Sequence, residues 1–211
     1  MMDAARTDTQ RVTPVSRSIR EKTMAHGYKW ALSLVLDLVL TACGGSADTN
    51  QTARCNANSS MTVLTGTVTA VHDGDTLTLS TASTTEHVRL QGIDAPELAQ
   101  PFGDAARQSL SQQSLNQTVR VAYAQRDRYD RLLGQIFTAD CTDVNQQMLD
   151  AGMAWFYTAY ACELESARRS RYEAAEAQAH AQRRGLWSQS QPMAPWIFRN
   201  GVDAPTPNCP G

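Results

Sequence analysis

Residues 62–91 read TVLTGTVTAVHDGDTLTLSTASTTEHVRLQ, and three short strands can be read from them. Leu64, Gly66, Val68 and Ala70 alternate with Thr65, Thr67 and Thr69, the period of two that sends successive side chains to opposite faces of a strand. Asp73-Gly74-Asp75 marks a tight turn, after which Leu77 and Leu79 share one face of a second strand over Thr76–Ser80. Val88 and Leu90 alternate with His87, Arg89 and Gln91 in a third. Further along, Phe102, Ala106 and Leu110 recur at helical spacing and predict a helix over 102–115. Val119, Val121 and Tyr123 mark a fourth strand, and Leu132–Phe137 a fifth.

Two more helices follow. One spans 144–151 and stops at Gly152; the other takes Ser166 as its cap, carries an Arg169–Glu173 pair and ends at Gly185. The last helix has a face of alanines around Tyr172 and needs a sheet to pack on. Five short strands, interrupted by a helix and followed by more helix, give an α+β fold: a five-stranded OB-type β-barrel with about three covering helices. Residues 61–188 hold it. The stretch 189–211 is read as an extended tail, because Pro or Gly stands at 201, 205, 207, 210 and 211.

The N-terminal end has a different character. Residues 30–40, WALSLVLDLVL, follow Lys29 and precede small residues, which is the layout of an export signal. The run is too short to span a bilayer, which takes about 20 residues. Leu40-Thr41-Ala42-Cys43 resembles a bacterial lipobox, implying a signal peptide over 1–43, a diacylated Cys43 and a membrane anchor. Gly44 after the cysteine favours the outer membrane. Residues 44–60 are small and polar and read as a flexible tether. With Cys43 lipidated, Cys55, Cys141, Cys162 and Cys209 remain, and an even number in an exported chain implies two disulfides. Three connectivities are open; the expected one joins Cys141 to Cys162 and Cys55 to Cys209.

Beyond Cys43 the chain has thirteen arginines, no lysine and seventeen Asp and Glu, a net charge of −4. That is not the footprint of a tight polyanion binder, though it leaves room for a local cationic groove. Three acids stand out. Asp75 ends the D-G-D turn, while Asp94 and Glu97 lie in I-D-A-P-E, where Pro96 stiffens the turn and pushes Ala95 towards extended backbone. Hard oxygen atoms from two neighbouring loops suit Ca²⁺ or Mg²⁺. The four histidines are scattered along the chain without zinc spacing. Arg89 and Arg131 add forked donors that match phosphate oxygens. Taken singly, each motif reads as a turn or a solvated strand residue; joint order and spacing carry the weight.

VHDGDTLTL, VRLQGIDAPE, DRYDRLLGQIF, DVNQQMLDAGMAW and RRGLWS occur in that order, and together they resemble the staphylococcal nuclease family over residues 62–188. The resemblance implies an OB barrel that cuts DNA and RNA with Ca²⁺ to leave 3′-phosphate ends. Asp75 and Asp94 match the calcium carboxylates, Ala95 the carbonyl ligand, Glu97 the acid that orients the attacking water, and Arg89 and Arg131 the pair on the scissile phosphate. Tyr129 and Tyr160 fall near the aromatic positions of the nucleotide site, Tyr160 with slack against Tyr157; a packed core aromatic is an equal reading for both. Ala95 replaces a hydroxyl residue common there, and residues 155–162 lack the family's charge pattern. The implied partners are DNA and RNA and, through Cys43, a membrane, with no obligate protein partner evident. The rival is a barrel that has lost catalysis and only binds nucleic acid or protein; it would be expected to lack some of these acids or arginines.

Overall fold

The computed structural model describes residues 60–203 together with Cys55 and Cys209; the signal segment and Cys43 lie outside the described residues. β1 (Thr62–Val71), β2 (Thr76–Ser80) and β3 (Thr85–Leu90) form an antiparallel meander. β3 then pairs in parallel with β6 (Leu132–Phe137), β6 pairs antiparallel with β5 (Thr118–Arg126), and β5 closes on β1. The result is a closed barrel of order β1-β2-β3-β6-β5. Closure removes the open sheet edges that a five-stranded sheet would otherwise expose.

The alternation read from the sequence sets which residues fill the barrel. Val68, Leu77, Leu79, Val88, Leu90, Val119, Val121, Leu132 and Ile136 are buried in one cluster. Each such side chain contributes roughly 1.5–3 kcal/mol relative to exposure. α1 (Gly103–Ser114) adds Ala106 and Leu110, α2 (Val144–Asp150) adds Met148 and Leu149, and α3 (Ser166–Ala181) adds Tyr172 and Ala175. A two-residue strand β4 (Ile93–Asp94) pairs with β7 (Trp155–Phe156), which ties the I-D-A-P-E turn to the chain beyond α2.

Two polar devices hold the helices on the barrel. Asn145, fully buried, accepts from the Ile136 amide (3.0 Å) and donates to the carbonyls of Gln91 and Gly134 (3.0 Å each). It therefore bonds three buried main-chain groups at the end of the barrel, one of which, the Gly134 carbonyl, also accepts from the Gln91 amide (2.8 Å). Asp143 caps α2 through the Gln146 amide (3.1 Å) and takes the buried Arg168 guanidinium and the Tyr172 hydroxyl (3.0 Å) from α3. Burial raises the Asp143 carboxyl above its usual range, with Arg168 working against that rise.

Several expectations are corrected. Ser166 is the first residue of α3 rather than its cap; Glu165 precedes it and makes no capping side-chain bond, and the helix ends at Ala181 before a 3-10 turn over Gly185–Ser188. The stretch beyond 188 is not wholly extended. Pro195–Asn200 forms α4, with Pro195 at its first turn and Gly201 at its end with φ 71°. The disulfides are Cys55–Cys141 and Cys162–Cys209, each with Cα atoms 5.0 Å apart, in place of the expected pairs. Proximity in sequence misleads here. Between Cys141 and Cys162 the chain passes through α2 and then crosses to pair with β4, whereas Cys141 shares a small cluster with Cys55, Ala122 and Phe137. The segment read as a tether is thus pinned to the barrel at Cys55.

Candidate active site

Gly74 explains how two loops come to share a site. A Cβ there would lie 2.5 Å from the Ala95 Cβ and 2.6 Å from the Ala106 Cβ, so only glycine allows the D-G-D turn to seat on the I-D-A-P-E turn and α1. The contact is sealed by hydrogen bonds. The Ala95 amide donates to Asp75 Oδ2 (2.7 Å), and the Leu90 amide donates to the Asp75 carbonyl (2.8 Å). Asp73 Oδ1 in turn accepts from the Asp75 amide (2.9 Å).

Arg89 joins the two acids. It stands opposite Thr76 in the β2–β3 register, and its Nε lies 3.0 Å from Asp75 Oδ1. Nη2 donates to Asp94 Oδ1 (2.8 Å), while Nη1 donates to the carbonyls of Leu90 (2.6 Å) and Ile93 (2.8 Å). Rooted in this way, the guanidinium cannot wander, and its fixed fork sets the spacing of the carboxylates. Asp94 is only 1% exposed. Burial pushes the Asp75 carboxyl up to about 7; Arg89 opposes the rise, and the charges of Asp73 and Asp94 add to it.

Glu97 is anchored by Gln100, whose Oε1 accepts from the Glu97 amide (2.9 Å), and its side chain faces a cleft of about 420 Å³ lined by Asp73, Leu98, Ala99, Phe198 and Arg199. Arg199, on α4, is the residue the sequence reading missed. It donates through Nη2 to Asp94 Oδ2 (2.7 Å) and through Nη1 to Glu97 Oε1 (2.6 Å). A signal for its helix was present: proline at the first helical position and glycine just past the last bracket α4.

Arg131 reaches the cluster indirectly. The Asp127 side chain accepts from the amides of Tyr129 (2.9 Å) and Arg131 (3.0 Å) and from Arg131 Nε (2.8 Å), which shapes the D-R-Y-D turn. Burial alone would raise the Asp127 carboxyl, but these bonds hold it below its usual range. Arg131 Nη1 lies 3.5 Å from Thr76 Oγ1, which donates to Asp75 Oδ1 (3.1 Å). Tyr129 is 64% exposed, with Arg128 and Arg131 over its ring at 4.8 and 5.4 Å. Tyr160 is 50% exposed and packs on Tyr157 at 5.2 Å, so neither tyrosine is a packed core aromatic. Of the pair, Tyr157 is the one that senses the acids: burial raises its hydroxyl, and the Asp94 charge raises it further. Two of the histidines are less scattered than their spacing implied, His72 and His87 lying 5.6 Å apart beside Thr78.

The donor set fits a hard divalent cation. Among the described residues, Arg89 and Arg199 are the cations paired with Asp75, Asp94 and Glu97, and the charge of Asp73 adds to these acids, so full ionisation of the four carboxylates outweighs the two guanidiniums. Among the described residues no three Asp, Glu, His or Cys side chains converge as a ready-made cage, because the guanidiniums lie between the carboxylates. Carboxylates joined by forked cations over a cleft are suited to phosphate chemistry, in which positioning and charge stabilisation do most of the work.

Sequence comparison bears directly on that chemistry. Residues 87–189 match the family described as "Staphylococcal nuclease homologue". A protein of Escherichia coli O157:H7 described as an "Uncharacterized endonuclease" is 38% identical over 135 residues, covering 64% of this chain and 84% of that one. The chain belongs to the staphylococcal nuclease family. A micrococcal nuclease of Shigella flexneri is 37% identical over 142 residues, 64% of this chain and 79% of its own length. A probable staphylococcal-like nuclease of Oryza sativa is 41% identical over 112 residues, 53% of this chain and 32% of the rice protein. This member of the staphylococcal nuclease family is a nucleic-acid hydrolase built on the family's barrel. Arg89, Asp94, Ala95, Glu97 and Arg131 fall within the matched span; Asp75 and Arg199 fall outside it.

Proposed function

We propose that this nuclease is a calcium-dependent phosphodiesterase that cuts DNA and RNA outside the cytoplasm and leaves 3′-phosphate ends. The observation that carries the reading is the cluster in which Arg89 joins buried Asp75 to buried Asp94 and Arg199 joins Asp94 to Glu97, which lines the cleft. Asp75, Asp94 and the Ala95 carbonyl would hold the cation, for they offer hard oxygen ligands only. Bound there, Ca²⁺ supplies Lewis-acid polarisation of a phosphoryl oxygen.

The chain's own residues do the rest. Arg89 and Arg131 grip the scissile phosphate and stabilise charge as it develops on the phosphoryl oxygens. Glu97, partly open to solvent, orients the attacking water and takes its proton as the new P–O bond forms and the bond to the 5′ oxygen breaks, the departing 5′ oxygen taking a proton from solvent water to become a hydroxyl. Tyr129, with its flanking arginines, and Tyr160 with Tyr157 offer ring faces on which bases stack irrespective of sequence. A phosphate grip that reads neither bases nor the 2′-hydroxyl supports action on both sugars.

The lipobox resemblance at Cys43 supports an exported, lipid-anchored protein with its catalytic domain on the periplasmic or outer face of the outer membrane. Two disulfides agree with an oxidising compartment. Among the described residues no helix is long and apolar enough to cross a membrane. The activity is tested with 5′-labelled DNA and RNA oligonucleotides and Ca²⁺: both strands are expected to be cut, with products that a 3′-phosphatase shifts in mobility. Products bearing 3′-hydroxyl ends, or cleavage of one sugar type alone, would count against the reading.

A further inference from the structure

Arg199 has no part in the reading above, yet it touches two of the acids that the chemistry uses. Its Nη2 lies 2.7 Å from Asp94 Oδ2, and its Nη1 lies 3.3 Å from Asp94 Oδ1 and 2.6 Å from Glu97 Oε1. The contrast with Arg89 is informative. Arg89 is buried and rooted in two main-chain carbonyls, whereas the hydrogen bonds of Arg199 go to the two carboxylates, and its side chain is 36% exposed. Its departure would leave Asp94 Oδ2 and Glu97 Oε1 without its donors while Arg89 keeps Asp94 Oδ1, and a divalent cation would satisfy them in its place.

The helix carrying Arg199 is seated independently of that contact. Trp196 stacks on Tyr157 (5.3 Å, 11°) and meets Trp155 edge-on at 5.6 Å. Gln100, which holds the Glu97 amide, donates through Nε2 to the Met193 carbonyl (3.0 Å). The Cys162–Cys209 disulfide fixes the chain on the far side of α4. Arg199 is therefore presented to the acids by a tethered segment at high local concentration.

We propose that Arg199 is a positioning residue for the reaction: a tethered counter-ion that competes with the divalent cation for Asp94 and Glu97 and is displaced when the cation loads. The proposal rests on the cation reading given above. One positive fork cannot share both Asp94 oxygens with a cation at full strength, so each weakens the other's hold by the same factor. Arg199 thereby sets the cation concentration at which the site assembles and keeps Glu97 paired until it does.

The test is calorimetric Ca²⁺ binding to the purified, disulfide-bonded protein and its Arg199→Ala and Arg199→Lys variants, with folding checked by circular dichroism. Arg199→Ala is expected to bind Ca²⁺ more tightly, within the roughly 5–150-fold span of coupled ligands. Arg199→Lys, which keeps the charge and loses the fork, is expected to fall between that variant and the wild type. Trp196 emission, isolated by difference against Trp196→Phe, is expected to change on Ca²⁺ addition only when Arg199 is present. A wild type that binds Ca²⁺ with the affinity of Arg199→Ala overturns the counter-ion and leaves the cation site standing. Weaker binding by Arg199→Ala overturns it as well, since Arg199 would then be helping the cation. Absence of binding in all three proteins removes the cation site and the counter-ion with it. Should Arg199→Ala not fold, equal affinity in Arg199→Lys together with a silent Trp196 overturns the proposal.

Discussion

Glu97→Gln keeps the size of the side chain and its polar contacts but removes the charge that draws a proton from water, and its turnover is expected to fall by about 10²–10⁴-fold. Arg89→Lys and Arg131→Lys keep a charge and lose the fork, at a cost on the order of 10²–10³-fold. Single-turnover cleavage of a defined oligonucleotide measures all three, and the double variants are expected to lose much less than the product of the single losses. Turnover of Glu97→Gln within about threefold of the wild type would make Glu97 a turn residue only. Asp75 has a different signature, in pH. Burial raises its carboxyl to about 7 in the folded protein, so in chelator the folded state keeps a proton that the unfolded chain releases near the ordinary carboxylate range. Bound protons then favour the folded state at low pH, and stability is expected to decline as pH rises from about 4 to 7 and to level off above. Urea midpoints across that window should show the slope in the wild type and lack it in Asp75→Asn. Cation affinity runs the opposite way, rising with pH through about 7 as the proton leaves. The acids were legible in the sequence because they sit at turns whose proline and glycine residues announce themselves, and Arg89 because it alternates with Val88 and Leu90 along β3. Arg199 and Gln100 were not, because Arg199 lies 105 and 102 residues from Asp94 and Glu97, and Gln100 lies 93 residues from Met193, in contacts that no local pattern records.

Strands were more legible than the joints between elements. The period of two matches the less exposed face of β1, with Val68 fully buried, and places Leu77 and Leu79 of β2 in the core, although Thr76 and Thr78 on the other face of β2 are buried as well. The parallel pairing of β3 with β6, by contrast, depends on α1 and β5 lying between them in sequence, and it becomes plain only once the barrel closes. Asn145 is the clearest case of a polar residue whose importance sequence reading passed over. On a short helix it looks like surface; in the structure it bonds Ile136, Gln91 and Gly134, all buried. Asn145→Ala would take its bonds from the Ile136 amide and the Gln91 carbonyl, while the Gly134 carbonyl keeps the Gln91 amide, and is expected to cost about 2–4 kcal/mol. Chemical denaturation compares the two proteins, and a loss under about 1 kcal/mol would show that the clamp is dispensable. The α4 helix went unread for the opposite reason: a tail rich in proline and glycine was taken as extended, although those residues here begin and end a single helical turn and a half.

At the scale of the whole molecule, the two disulfides close loops with sequence separations of 86 and 47 residues. Each is expected to stabilise the fold by roughly 4 kcal/mol in the chain-entropy account. Peptide mapping without reductant should return Cys55–Cys141 and Cys162–Cys209, and reduction should lower the melting temperature; any other pairing would contradict the fold. The first bridge pins the segment nearest the proposed anchor to the barrel, and the second holds α4 against the site, so the covalent frame and the active cluster are mechanically linked. Net charge runs against tight polyanion binding, which places the weight of recognition on a few arginines around the cleft and the D-R-Y-D turn. The claim that holds these pieces together is that Asp75, Asp94 and Glu97 work on phosphodiesters through a divalent cation. Its most direct test is nicking of supercoiled plasmid by the purified protein in Ca²⁺, then in excess chelator, then with Ca²⁺ restored. The account expects cleavage, loss and recovery in that order; nicking that continues undiminished in chelator would contradict it.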